Sequence, residues 1–273
     1  MKRAIGFSLL VLLCACKKED FDIHNLNGDR IISQGHGGMG IYYTYPLDSP
    51  ASILMCLNSG ADGSEMDVQM TRDSVLVAYH ASDLSEATDM SGLVIEHSWA
   101  EIAQAHFTGV PYTDHHILRI EDLFSHLDDP RAHICTFDIK LHVDGLPDER
   151  YMDRFAEAII RLLDRFNVTD KVHLESQHIY MLAALKVRRP ELKLFYYPTS
   201  FDEGLATAAG MGLLGLTTDI HLINSDQVAT AHAHHLWVAL WNVKTKEENR
   251  EAIRMNPEII QSDRVDHLVG LLD

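Results

Sequence analysis

Positive charge is scarce in this sequence. Of 273 residues, 23 are Lys or Arg against 40 Asp or Glu, a formal charge of −17. Phosphate neutralisation needs clustered cations, so the composition argues against nucleic acid as a partner while leaving room for a small anion held by a local cation or metal. Cysteine is equally sparse. Four residues exclude a disulfide scaffold. No apolar run reaches the roughly 20 residues that a membrane-spanning helix takes. There is no long Pro/Gly/Ser linker, no repeat and no low-complexity tract. What remains is 46% hydrophobic and 23% charged, the balance of a folded globular chain.

The N-terminus reads as an address. Met1-Lys2-Arg3 precedes the apolar run 4–13, the order of a secretory signal. Leu13-Cys14-Ala15-Cys16 resembles a bacterial lipobox, with the small Ala15 before Cys16 and the polar Lys17-Lys18-Glu19-Asp20 after it. The expectation is a lipoprotein signal peptide over 1–15, acylation of Cys16, a tether over 16–30 and one domain over 31–273. Each buried acyl methylene adds about 0.8 kcal/mol of membrane affinity. The implied location is the bacterial cell envelope, with the protein lipid-anchored to the outer membrane and facing the periplasm or the surface. The Lys-plus-acid run also resembles a short tag that sends some Gram-negative lipoproteins outward. Cys56 and Cys135 sit in apolar stretches and read as small buried hydrophobes.

Beyond residue 30, short β-rich runs alternate with amphipathic stretches. Strands are expected at 31–35, 63–68, 74–79, 133–141, 172–175, 192–197, 214–218, 236–241 and 259–261. The clearest helix is 148–166, where Met152, Phe155, Ile159, Leu162, Leu163 and Phe166 recur at three- and four-residue steps. Further helices are expected at 50–59, 99–105, 121–127, 178–187, 201–209, 226–234, 246–254 and 263–272. Such alternation implies parallel βαβ units, and about eight of them suggest an α/β fold of the closed (β/α)8 TIM-barrel type, with an open doubly wound sheet as the alternative.

The chemistry gathers at strand ends. Gly35-His36-Gly37-Gly38-Met39-Gly40 closes the first strand. In Gly60-Ala61-Asp62-Gly63-Ser64-Glu65-Met66-Asp67-Val68, Glu65 and Asp67 are two apart on a strand and so share a face. Two carboxylates side by side in an interior need a compensating cation, and oxygen ligands suit Ca²⁺ or Mg²⁺. The other reading is a solvent-facing polar stripe, with Met66 and Val68 in the core. His80 ends the next apolar run, and two histidines beside a metal form a sensible acid/base pair. Asp138, Lys140 and His142 share another strand face.

Residues 34–92 resemble the opening of the glycerophosphodiester phosphodiesterase family: His-Arg-Gly, then Gly-Ala-Asp-x-x-Glu-x-Asp-Val-x-x-Thr-x-Asp, then Val-x-x-His-Asp. Here His36, Gly60 to Val68, Thr71, Asp73, Val77 and His80 match in order and spacing. Phe137-Asp138-Ile139-Lys140, Val238 to Val243 and Gln261-Ser262-Asp263 are similar to its later blocks. The resemblance implies a (β/α)8 barrel, a divalent metal (usually Ca²⁺ or Mg²⁺) and cleavage of a small phosphodiester to glycerol 3-phosphate and an alcohol. It implies His36 and His80 as the acid/base pair, and Glu65, Asp67 and Asp138 as metal ligands. Lys140 would contact the phosphate, and Trp241 would form a wall of the pocket. Three positions depart from the pattern. Gly37 stands for Arg, Ala81 for Asp, and Asp138 for the longer Glu. A barrel phospholipase or lyase forming a cyclic phosphate, and a surface lipoprotein that only binds its ligand, stay open as alternatives.

Overall fold

The computed structural model describes residues 19–109, 111–143, 145 and 148–273. The expected signal peptide and Cys16 lie outside them. In chain order the first elements are β1 (Ile32–Gly35), α1 (Pro50–Asn58), β2 (Gly63–Met70) and β3 (Leu76–Ala78). Then come α2 (Trp99–Ile102), β4 (Leu118–Arg119), α3 (Ile120–His126), β5 (Cys135–Ile139) and α4 (Glu149–Phe166). The second half alternates without interruption. It comprises β6 (Val172–Ser176), α5 (Ile179–Arg188), β7 (Lys193–Tyr196), α6 (Phe201–Met211) and β8 (Gly215–Asp219). It ends with α7 (Ser225–Ala233), β9 (Trp237–Val243), α8 (Lys246–Arg254), β10 (Ile259–Ser262) and α9 (Val265–Leu272).

Strand β1 pairs in parallel with β10 on one side and with β2 on the other. That closes β1, β2, β5, β6, β7, β8, β9 and β10 into a barrel of eight parallel strands, and an open sheet is excluded. The run expected as a strand at 74–79 is not one of the eight. Only five residues separate Met70 from Leu76, too few for a crossover, so β3 turns back antiparallel on the end of β2 and pairs with β4. The two-residue β4 carries no periodic signal and was not expected.

Outward-facing strand residues pack on the helices. Met66 and Val68, Phe137 and Ile139, Leu174, Leu194, Leu216 and Leu240 are all buried in one cluster with Phe155, Ile159 and Leu163 of α4. Helix α4 starts where the Asp148 carboxylate accepts the Tyr151 N–H and ends at Asn167, which takes the left-handed conformation at φ 53°. Cys56 and Cys135 are buried free thiols, and burial pushes each up to about 12.

The described part of the expected tether carries no helix or strand, yet it is docked. Glu19 pairs with Arg250 and Arg254 of α8, the His24 N–H reaches Asn256, and the Leu26 N–H reaches the Glu258 carboxylate at 2.8 Å. These partners end α8 or precede β10, so the segment closes on the strands' N-terminal end. Polar residues without periodicity read as a solvated linker because their partners lie more than 200 residues away.

Inside the barrel, the lowest layer is apolar, with Ile32, Phe195, Ala239 and Ile259. His173 sits against it, edge-on to Phe195 at 5.4 Å and Trp237 at 6.0 Å, and neither ring nitrogen has a partner among the described residues. Burial pushes its pKa down to about 3. Between pH 6.5 and 3 the unfolded chain therefore binds a proton there that the folded chain does not. Stability is full above pH 6.5 and falls as pH drops toward 3, by at most about 1.4 kcal/mol per pH unit. His173→Leu should flatten that part of the stability profile, read by urea titrations at pH 4 and pH 7. An unchanged slope would show that His173 does not set it.

Candidate active site

The residues singled out in the sequence converge on the strands' C-terminal end, where (β/α)8 barrels carry their sites. Parallel pairing places Glu65 opposite Thr136 and Asp67 opposite Asp138, with Glu175 beside Asp138 on the next strand. Glu65, Asp67, Asp138 and Glu175 are all buried. The polar-stripe reading of β2 thus gives way to an inward-facing one, because β2 is covered on both faces.

One oxygen from each of Glu65, Asp67 and Asp138 lies within 4.8 Å of the other two. Lys140 Nζ reaches into the group, 2.5 Å from Asp138 Oδ2 and 3.0 Å from Asp67 Oδ1. Burial opposes charge at all four. At Glu65 burial, reinforced by Asp67 and Asp138, raises the pKa well above the usual carboxylate range. Asp138 is also raised, by burial and by Asp67 against the opposing pull of Lys140. Asp67 goes the other way. Burial would raise it, but Lys140, His80 and His36 outweigh that and lower it. Burial likewise works against the Lys140 charge, and Asp67 and Asp138 overcome it and raise the ammonium pKa. Asp67 Oδ2 is buried without a partner among the described residues. An all-oxygen set with an orphaned buried lone pair fits a hard divalent cation.

His36 follows β1. Its Nδ1 stands 2.8 Å from Asp263 Oδ1 just past β10, which leaves Nε2 to face the site. Burial alone would lower the His36 pKa. The Asp263 hydrogen bond and charge, with Asp67 and Asp48 farther off, outweigh it and raise it. His80 lies at the exposed mouth, and its carbonyl is 3.2 Å from His142 Nε2. Both imidazoles are close enough to Asp67 for their charges to lower its pKa. A cleft of about 210 Å³ opens beside Lys140, lined also by His142, Gln177 and His178. Trp241 stacks edge-on against Tyr197 at 5.4 Å.

Three supporting residues lie outside the expected set of site residues. Asp263 is the His36 partner, a pairing that joins the two ends of the domain. Asp48 accepts the Asp67 N–H at 3.1 Å from a buried loop position. Glu175 is held by the Thr217 hydroxyl at 2.6 Å and by Gln261, and burial, reinforced by Asp138, pushes its pKa to about 8. Glu175 ends a strand candidate and Asp263 closes the block Gln261-Ser262-Asp263, but neither position revealed which side chain it would hold. Gly37 is closely packed. A Cβ there would press within 2.8 Å of the Leu47 side chain, so an apolar residue fills the adjoining space, and the Gly37 N–H donates to Glu65 at 2.9 Å.

Comparison with known proteins decides the family. A sequence model described as the glycerophosphoryl diester phosphodiesterase family matches residues 36–267. The chain belongs to that family. Its members are phosphoric diester hydrolases, commonly dependent on a divalent metal. A glycerophosphodiester phosphodiesterase of Caldanaerobacter subterraneus is 23% identical over 231 residues, covering 83% of this chain and 92% of the relative. One of Bacillus altitudinis is 25% identical over 158 residues, 57% of this chain and 62% of the relative. Among solved structures, an Oleispira antarctica phosphodiesterase bound to its product sn-glycerol-3-phosphate superposes with a TM-score of 0.77 at 18% identity, covering 89% and 97% of the two chains. A Parabacteroides distasonis glycerophosphodiester phosphodiesterase gives 0.73 at 18% identity, over 89% and 98%.

The crowding of carboxyl groups makes a direct prediction. A divalent cation should raise the melting temperature of the native protein, by about 2.7 kcal/mol in stability at a hundredfold excess over its Kd. Glu65→Gln should lose most of that gain while leaving the cation-free protein as stable or more so, because the acid removed is one whose ionisation burial and its neighbours already oppose. A variant still stabilised as strongly as the native chain would remove Glu65 from the cation site.

Proposed function

We propose that this protein hydrolyses glycerophosphodiesters to glycerol 3-phosphate and an alcohol, with Glu65, Asp67 and Asp138 holding Ca²⁺ or Mg²⁺. The observation that carries the reading is the buried carboxylate triad with Lys140 drawn into it and both imidazoles near Asp67. A phosphodiester is anionic and repels a nucleophile. When bound, the metal supplies charge neutralisation at the phosphate oxygens. Lys140 needs no new charge to serve the phosphate, since it is already held cationic beside the site. His36 and His80 divide the proton traffic. One takes a proton from the attacking hydroxyl and the other gives one to the departing alkoxide. Asp263 fixes the His36 ring through Nδ1, so His36 exchanges its proton at Nε2. Trp241, held edge-on against Tyr197, would form a wall of the substrate pocket.

The test is a panel of glycerophosphodiesters with purified protein lacking residues 1–16, assayed with Ca²⁺, Mg²⁺ and Mn²⁺ in turn. Turnover should yield glycerol 3-phosphate by phosphorus NMR and stop with chelator. His36→Ala or His80→Ala should cost about 10²–10⁴ in kcat. A cyclic phosphate product would make the protein a lyase. Cation binding with no turnover on any diester would leave a binding protein.

The N-terminal motif supports anchoring of the mature chain through acylated Cys16 in the cell envelope. Cys16→Ser should move the expressed protein from the detergent phase to the aqueous phase on temperature-induced partitioning. An unchanged distribution would rule out that anchor.

A further inference from the structure

The segment between the proposed anchor and β1 has a fixed address. The Glu19 carboxylate accepts from Arg250 Nε at 2.8 Å and pairs with Arg254 as well. The Arg254 guanidinium also lies over the Phe21 ring, 5.7 Å from its centroid. Phe21 and Ile23 are partly buried against the main core. Three hydrogen bonds follow in successive residues. The His24 N–H reaches Asn256 at 2.7 Å, the Asn25 amide reaches the Pro257 carbonyl at 2.8 Å, and the Leu26 N–H reaches Glu258. Glu258 is fully buried, and its other oxygen accepts the Val238 N–H at 2.6 Å. An exposed ion pair adds little alone. Here two arginines share one carboxylate, and apolar packing and three hydrogen bonds lie on the same stretch. All of it sits at the end of the barrel where the strands begin.

Chain length then limits how the barrel can turn. Only Lys17 and Lys18 separate Cys16 from Glu19 in the sequence. Three residue steps reach at most about 11 Å, whatever path they take. Strand β2 alone has eight residues. At the usual rise and barrel tilt such a strand spans about 21 Å along the axis. A link shorter than the barrel is tall cannot carry the mouth round to the surface that holds the anchor.

We propose that the docked segment 19–26 turns the strands' N-terminal end toward the membrane carrying the anchor and points the mouth away from it. The site then draws diesters from solution, and the lipids of that leaflet lie out of its reach. The inference rests on acylation of Cys16 and goes beyond it, because acylation alone sets no orientation. The mouth has exposed apolar side chains of its own in Ile41, Tyr42, Tyr180 and Leu222. Their chemistry would suit a lipid surface. They follow β1, β6 and β8, so they lie at the end opposite the docked segment. The short link is what keeps them from the anchoring leaflet.

The test measures the height of each end above the bilayer. The full-length lipoprotein is purified from cells, reconstituted into vesicles and labelled at Val187→Cys or Leu222→Cys. Both positions are exposed, the first at the end of α5 near the strand starts and the second beyond β8 at the mouth. A thiol dye will spare Cys56 and Cys135, which are buried and held protonated. Energy transfer to a headgroup-labelled lipid is then compared between the two positions. With the labels about a barrel height apart, transfer from Val187 should exceed that from Leu222 at least about twofold. Inserting about twelve Gly/Ser residues between Lys18 and Glu19 gives the link roughly 20 Å of typical reach and should bring the ratio toward one. Glu19→Arg, which repels Arg250 and Arg254, should move it the same way.

Protein that washes off the vesicles, with Cys16→Ser no different, would sink the anchor and the orientation together. Retained protein with equal transfer from both labels, or stronger transfer from Leu222, would overturn the orientation and leave the anchor standing. A ratio that neither the insertion nor Glu19→Arg moves would show that the docked segment does not set it.

Discussion

Asp48, Glu65, Asp67, Asp138 and Glu175 are buried at one end of the barrel, with the Lys140 ammonium drawn in among them. Isolated charges in such a place are expensive, and like charges repel more strongly there than in water. Relief comes from protons and from counter-charge. The shifts divide along those lines. Glu65, Asp48, Asp138 and Glu175 are pushed toward the protonated form by burial and by one another, while Asp67 is pulled the other way by Lys140 and two histidines. The cluster is a site built to accept positive charge, and Lys140 stands where part of that charge is wanted.

Only a stiff frame can hold acids together in this way. Strand pairing supplies it. Asp67 and Asp138 face each other because β2 and β5 lie in register, and a one-residue slip would turn both outward. Below them, a polar layer keeps the register honest. Gln34 bonds Thr136 at 2.8 Å, and Glu175 takes the Thr217 hydroxyl and the Gln261 amide. Each of these links bridges different strands, so the layer resists shear beneath the site. The loops add what strands cannot. Asp263 aims the His36 ring, and Asp48 caps the Asp67 N–H.

How much of this could be read from the sequence follows from how local each feature is. The alternation on β2 placed Glu65 and Asp67 on one face, and the same period placed Asp138 and Lys140, so the centre of the site was legible. Helix α4 was legible for the same reason, through its own period. Strand β3 was seen, but its direction depends on counting the residues that separate it from β2. Asp263 and Asp48 were not seen as site residues, since their partners are 227 and 19 positions away and no period links them. The docking of Leu26 on Glu258 was hidden likewise. A cavity of about 570 Å³ beside His80 is assembled from two loops whose aromatics have no spacing in common.

Gly37, Ala81 and Asp138 each lean on a neighbour. Beside Gly37, the space that a side chain would claim is taken by Leu47, which also lines the aromatic cavity. After His80, the chain is held by Gln69, whose amide donates to the Tyr79 and Ala81 carbonyls at 2.6 and 2.8 Å. Asp138 is a methylene shorter than Glu, and Lys140 bridges from it to Asp67. Leu47 and Ala81 line a cavity that His80 also borders, while the carboxylates stay clustered at the strand ends. Chemistry at the phosphate asks for charge, which this chain retains. The cavity lining is largely aromatic and apolar, so the charge in this end of the barrel is concentrated at the carboxylates.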